Sequence, residues 1–276
     1  MVDAKNGLGD YLKARRQLVT PETVGLPRGT RRRVPGLRRE ELALLAGISP
    51  DYYLRLEQGR DNNPSPQVLD ALAGILQLDS DARKYLYQLV RDAPSLGPRE
   101  QVEIVPAGTA QMIDQLPLPT FVQGRLMDIL AANPLARALS PQYRPGVNPL
   151  RTIFFDSQDR ALHLDWERAT EDSVAGLRAI AGADLQDPAL ERLVEELSAK
   201  SERFRELWAR QDVLDKSGGT SRLMHPRVGL LELRHERFAV SGTDGQIMVI
   251  FHADPGSRSQ AALEELRRTI PGERAG

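Results

Sequence analysis

Asp51, Tyr52 and Arg55 stand at the front of one short amphipathic segment and carry hydrogen-bonding chemistry suited to nucleobase edges. A carboxylate accepts from cytosine N4, a guanidinium meets a base edge or a phosphate, and a tyrosine ring packs or hydrogen-bonds locally. Arg55 lies one helical turn beyond Asp51, so the two share a face. Ser49 and the N–H groups opening this segment offer donors to a phosphate. Pro50 donates nothing and shapes that end. Arg39, upstream, is expected beside a polyanionic backbone. The plainer alternatives are that Asp51 is first-turn electrostatics and Arg55 a solvated helix residue.

A second basic feature lies nearby. Arg28, Arg31, Arg32, Arg33, Arg38 and Arg39 occur with no acidic residue between them. From Met1 to Arg60, twelve Lys and Arg face seven Asp and Glu, although the whole chain has a formal charge of only −1. Local density on one face governs phosphate contact, so the overall balance hides the footprint. Arg31, Arg32 and Arg33 are expected to lie along flanking phosphates or to enter a narrow minor groove; a solvated basic loop is the alternative. Glu40 and Glu41 argue against a uniformly phosphate-facing surface. Glu57 is read as part of an internal hydrogen-bonding or ion-pair set, because an acid at the interface would be repelled.

Two helices and a turn must position these groups. In LRREELALLAGISPDYYLRLEQG, Leu42, Leu45 and Ala46 share a face, and Ala43 is small enough for close helix approach. Gly47 makes the reversal, Ser49 caps, Pro50 suits the next first turn, and Tyr53 and Leu56 point inward. Gly59 closes the unit. This is the pattern of a helix-turn-helix. An opening helix, Leu8–Leu18, carries Leu8, Tyr11, Leu12, Arg15 and Leu18. Helices over Pro66–Leu76 and from an N-cap at Ser80 complete a five-helix, all-α unit ending near Arg91.

Composition narrows the remaining classes. The chain has 276 residues, enough for two ordinary domains, and no run is apolar enough to cross a bilayer. No secretory signal pattern opens it, so a cytoplasmic location without membrane insertion is expected. No cysteine is present, which excludes disulfides, thiolate catalysis and cysteine-held metals. His163, His225, His235 and His252 form no metal-ligand spacing. Asp156, Asp159, Asp165 and Glu167 read as a solvated loop and capping set. Gly218-Gly219 lacks a phosphate-loop context and reads as a turn. Neither cofactor nor catalytic role is expected.

Pro94, Gly97 and Pro98 mark a boundary, dividing the chain into residues 1–92, a linker 93–105 and a second domain 106–276. That domain opens with extended residues around Phe121–Leu130 and a short helix from Asn133-Pro134. Longer helical patterns follow at Trp166–Ala181 and Pro188–Gln211. Leu223–His225, Val228–Arg234, Phe238–Val240 and Gln246–Phe251 read as strands, with a hairpin turn at Gly242–Gly245. The fold expected is α+β. Phe121, Leu126 and Leu130 are candidates for one wall of an apolar ligand pocket, Phe204 and Trp208 for a helix stripe, and Leu233 and Phe251 for the facing sheet. Most such residues must simply be core. Arg151, before a strand-like run at Thr152–Phe155, suits a carboxylate head group or a structural ion pair.

LRREELALLAGISPDYYLRLEQGR followed by PSPQVLDALAGIL resembles the XRE-type helix-turn-helix of the MmyB-like transcriptional regulators. ILAANPLARAL, DWERATEDSVAGLR, FRELWARQDV, HPRVGLLEL and ADPGS resemble the ligand-binding domain of the same family, in the expected order. The resemblance spans roughly Leu8–Leu266. It implies a double-stranded DNA operator as partner, Arg39, Ser49, Asp51, Tyr52 and Arg55 at DNA-facing positions, and a PAS-like domain accepting an apolar small molecule, fatty-acid-like in one version. A homodimer is expected from the match of twofold symmetry to a palindromic operator. Leu190, Val194, Leu197, Phe204 and Trp208 fall at heptad-compatible spacing, interrupted at Ser201, and do not fix the interface. The alternatives are a C-terminal domain that binds a protein partner or one that transforms a small molecule.

Overall fold

The computed structural model describes residues 6–27, 34–90, 103–181, 187–214 and 218–270. Its backbone contacts divide into two units, one drawn from Met1–Arg99, Ala181–Glu196 and Arg205–Leu214, the other from Glu100–Ile180, Leu197–Phe204 and Asp215–Gly276. The expected basic loop residues Arg31, Arg32 and Arg33, and most of the expected linker, lie outside the described residues.

The first unit holds α1 (Gly7–Leu18), α2 (Arg39–Leu45), α3 (Pro50–Glu57), α4 (Pro66–Ile75) and α5 (Ser80–Val90), the five-helix arrangement read from the sequence. Leu8, Tyr11 and Leu12 recur at helical spacing on α1 and are buried, as are Leu42, Tyr53 and Leu56 on α2 and α3. Each such side chain removed from water contributes about 1.5–3 kcal/mol. Arg16, one turn beyond Leu12, occupies the inward position, while Arg15 pairs with Asp212 at 2.7 Å. Leu18 and Leu45, expected at apolar helical positions, are instead exposed. Gly47 reverses the chain at φ +67, a conformation a Cβ would strain. Helix α5 is capped not by Ser80 but by Asp79, whose Oδ1 accepts from the Ala82 N–H at 2.9 Å.

The second unit begins with α6 (Ala107–Gln115), the hairpin β1 (Thr120–Gln123) and β2 (Ile129–Ala132), and α7 (Pro134–Leu139). Next come α8 (Pro149–Phe155), α9 (Ser157–Leu162) and α10 (Trp166–Ala181). The expected single helix over 188–211 is two, α11 (Pro188–Lys200) and α12 (Glu202–Ala209), broken at Ser201 and each divided between the two units, so the heptad-like seam does not run through one helix. Then follow β3 (Gly218–His225), β4 (Gly229–Ala239), β5 (Ile247–His252) and a C-terminal α13 (Arg258–Arg268) that the sequence reading omitted.

The five strands form one antiparallel sheet in the order β2-β1-β5-β4-β3, giving the α+β architecture expected. Two expected strands merge into β4, because His235, Glu236 and Arg237 continue the alternation and pair with β5 despite their polarity. Gly218 and Gly219 belong to β3 and not to a turn. Thr152–Phe155 is the end of α8, not a strand. Asn148 Oδ1 accepts from the Leu150 and Arg151 N–H groups, and Pro149 pre-sets the first turn. One face of the sheet carries Phe121, Leu223, Leu231, Leu233, Val249 and Phe251 into a single core. Arg222, Glu232 and Arg234 lie on the other face, exposed.

Candidate nucleic-acid interface and regulatory core

The front of α3 is ordered from within. Ser49 Oγ accepts from the Tyr52 N–H at 3.1 Å, which fixes the helix start and satisfies one orphan donor. Asp51 and Arg55 form an i,i+4 ion pair, and the Arg55 guanidinium lies 5.6 Å from the Tyr52 ring centroid. Asp51 and Arg55 are exposed and Tyr52 half-buried, so the three sequence-predicted residues make one patch. Asp51 accepts from Arg55 through Oδ2 alone, which leaves its exposed second oxygen to accept from a base. The remaining Arg55 donors are likewise left for a base edge or a phosphate.

Arg39 stands at the other end of the motif, anchored and still accessible. Its Nε donates to Glu57 Oε2 at 2.5 Å, yet the side chain keeps 44% exposure. Glu57 is buried and takes a second ion pair from Arg16 Nε, at 2.6 Å to Oε1, while Arg16 Nη1 donates to the Leu37 carbonyl at 2.6 Å. Burial acts to raise the Glu57 carboxyl, but the hydrogen bonds from Arg16 and Arg39 outweigh it and hold the group below the usual carboxylate range. Burial and the nearby Glu57 charge push the Tyr53 hydroxyl above its ordinary range, so it stays neutral. Asn6 Nδ2 donates to the Glu57 carbonyl at 2.8 Å, and a Cβ on Gly9 would lie 2.4 Å from that same oxygen. Only glycine permits α1 to approach the end of α3 this closely.

Arg16 is a residue the sequence reading missed, and it carried a signal. A cation at i+4 from Leu12 on an apolar face requires a buried partner. Lys13 and Gln17 also escaped notice, and Arg38 was read only as part of the basic stretch. With Arg39 they line a cleft of about 310 Å³ beside α2, its Arg16 wall neutralised by Glu57. The accessible positive charge there belongs to Lys13, Arg38 and Arg39.

In the second unit the expected ligand-wall residues scatter. Phe121, Leu233 and Phe251 lie in one packed core, where Phe121 stacks on Tyr143 at 4.6 Å and lies 6.2 Å from Phe251. Leu126 and Leu130 are half-buried near the hairpin. Phe204 meets Phe154 edge-on at 5.4 Å, and half-buried Trp208 groups with the first unit. Arg151 is half-buried with Nη1 3.9 Å from Asp128 Oδ1, the structural ion pair offered as its second reading.

The polar residues divide likewise. His225 Nε2 donates to the Ala138 carbonyl while Nδ1 accepts from the Arg227 N–H at 3.2 Å, a turn-stabilising role. Asp156 caps α9 and is exposed as expected, but Asp159 is buried at 4% side-chain exposure. Asp159 Oδ2 lies 3.5 Å from His163 Nε2, which also meets Gln142 at 3.2 Å. Burial, helped by the negative charge of Asp156, pushes Asp159 up to about 6, and burial pushes His163 down to about 4.

These opposed shifts set a pH test. The raised carboxyl favours the fold while protonated, a contribution lost as pH rises through about 6. The histidine favours the fold while neutral, a contribution lost as pH falls from its ordinary range toward about 4. In the wild type the two largely offset. Asp159→Asn leaves the histidine alone, so its stability falls by about 2 kcal/mol from about pH 7 to about pH 5, with a smaller change in the wild type. Urea unfolding at the two pH values measures this. Identical pH slopes would contradict the buried pair.

Two family models match the chain in the order its architecture demands. Residues 7–86 match a helix-turn-helix domain, and residues 105–266 match the MmyB-like transcription regulator ligand binding domain. No curated protein matches it. No helix among the described residues is long and apolar enough to cross a membrane. The exposed Asp51–Tyr52–Arg55 patch sits on the matched helix-turn-helix, and the five-stranded sheet forms the body of a match covering more than half the chain. The chain therefore belongs to the MmyB-like transcription regulators: it joins a DNA-binding helix-turn-helix to a ligand-binding domain, as a ligand-responsive regulator does.

Proposed function

We propose that this regulator binds a specific double-stranded operator as a homodimer, reads it with the front of α3, and senses an apolar small molecule through residues 106–276. The observation that carries the DNA reading is the pre-ordered Asp51–Tyr52–Arg55 patch, with Arg39 anchored at the other end of the motif by a buried acid. Base contacts on α3 would supply specificity, while Arg39, Ser49, Lys13 and Arg38 would supply register on phosphates. Two half-sites bound by a twofold dimer add their energies. A fatty-acid-like ligand suits the apolar sheet face, and the reading places the protein in the cytoplasm, with its operator. A ligand changes operator occupancy only by binding two arrangements of the protein unequally.

Fluorescence anisotropy on the operator at fixed salt tests the interface. Arg55→Ala weakens binding by about 1–3 kcal/mol, roughly five- to 150-fold, and relaxes base preference. Arg83→Ala, on α5 and paired with Asp70 at 3.0 Å, leaves binding unchanged. Equal effects of the two would remove Arg55 from the interface. Sedimentation with and without operator tests the dimer, and a strict monomer on one half-site would defeat it. A protein partner is a second reading, favoured by Met224 and Leu230, cross-strand neighbours that both stand exposed at one corner of the sheet.

A further inference from the structure

We propose that Gln123 is the polar anchor of the ligand site, donating its side-chain amide to an oxygen acceptor on an otherwise apolar molecule. The inference rests on the small-molecule reading above and assigns the head-group chemistry. Gln123 ends β1 with 7% exposure, and its Nε2 is buried without a hydrogen-bond partner. A buried amide donor left unmatched is costly, and among buried polar groups it is the exception that calls for a missing acceptor.

The register shows where that donor stands. Phe121 and Gln123 share the core face of β1, opposite Val249 and Ile247 of β5. Across β5 on the same face lie Arg237, opposite Val249, and His235, opposite Phe251. With strands about 4.8 Å apart and alternate residues about 6.8 Å apart, Gln123 and Arg237 are diagonal neighbours roughly 12 Å apart at Cα. Helix α10 approaches this end of the face through a residue with no side chain. A Cβ on Gly176 would lie 3.4 Å from Met127 Cε and 3.7 Å from Arg237 Nη1. The face thus grades from the apolar Phe121–Phe251 core to a polar end with an unmatched donor at Gln123 and a guanidinium at Arg237.

That arrangement selects an apolar body ending in a carbonyl or carboxylate oxygen and discriminates against a head group that only donates. It moves the head-group contact from Arg151, which faces Asp128, to the end of β1. Gln123 Nε2 would supply one hydrogen bond to the oxygen, and Arg237 would distinguish an anionic acceptor from a neutral one.

Calorimetric titration of the full chain with three probes of similar length tests this: decanoate, 2-undecanone and decylammonium. The wild type binds an acceptor-bearing probe more tightly than decylammonium. Gln123→Leu weakens the acceptor probes about tenfold or more, leaves decylammonium unchanged, and does not lower the thermal stability of the ligand-free chain. Gln123→Glu, which keeps the shape and turns the donor into an acceptor, weakens decanoate at least as much and serves if the leucine variant fails to fold. Arg237→Gln weakens decanoate more than 2-undecanone if the anion is the preferred form, and equally if the neutral carbonyl is. Unchanged acceptor binding in both Gln123 variants, or an equal loss for decylammonium, overturns the anchor and leaves the small-molecule reading intact. A wild type that binds none of the probes overturns both.

Discussion

Glu57→Ala unfolds or severely loosens the helix-turn-helix, at an expected cost of about 3–5 kcal/mol. The substitution strands the buried Arg16 guanidinium, whose Nε pairs with Glu57 Oε1 at 2.6 Å and whose side chain is 8% exposed. The penalty is the desolvation of an unmatched cation and not the net value of a salt bridge, which explains why so small a change is so costly. Against a typical domain stability of about 5–15 kcal/mol, this is a large share. Arg39 also loses the partner that orients it, so operator binding falls even where folding survives. Urea unfolding followed by circular dichroism gives the magnitude. Asp51→Ala, which removes only an exposed i,i+4 pair, costs about 0.5 kcal/mol or less. Because Glu57 is held below its ordinary range, its stabilisation is complete above that range and drains as pH falls through the depressed value. If Glu57→Ala unfolds with wild-type stability, the buried network does not close the domain.

Phe121→Ala costs the second unit about 3–5 kcal/mol, the range for emptying a buried aromatic site. Phe121 is 4% exposed, joins the common core, and stacks on Tyr143 at 4.6 Å with Phe251 close by. Losing the stack adds about 0.5–1.5 kcal/mol to the area term. Leu130→Ala, at a half-buried position of β2, costs distinctly less. Thermal unfolding of the two variants separates a core role from a ligand-wall role. If Phe121 mainly lined an open pocket, its truncation would weaken ligand binding while sparing stability, and the order of the two variants would collapse.

What the sequence determined by itself is local and periodic. The helix-turn-helix was legible because it fits in one contiguous stretch: Gly47 with its positive φ, the Ser49 cap, and inward Tyr53 and Leu56 all act within a few residues. The patch at Asp51, Tyr52 and Arg55 followed from the same helical period. The internal role of Glu57 was legible from charge alone, but its partners were not, because Arg16 lies 41 residues away. Tertiary structure decided the rest. Whether Thr152–Phe155 is helix or strand depended on the Asn148 cap, and whether β4 is one strand or two depended on β5 pairing beyond the polar residues. An apolar residue has no sequence mark separating core from pocket wall, since both satisfy the same pattern. Burial of Asp159 and isolation of the Gln123 amide were likewise invisible. They arise only when distant segments fold around these groups and leave one carboxylate oxygen and one amide nitrogen without a hydrogen-bond partner.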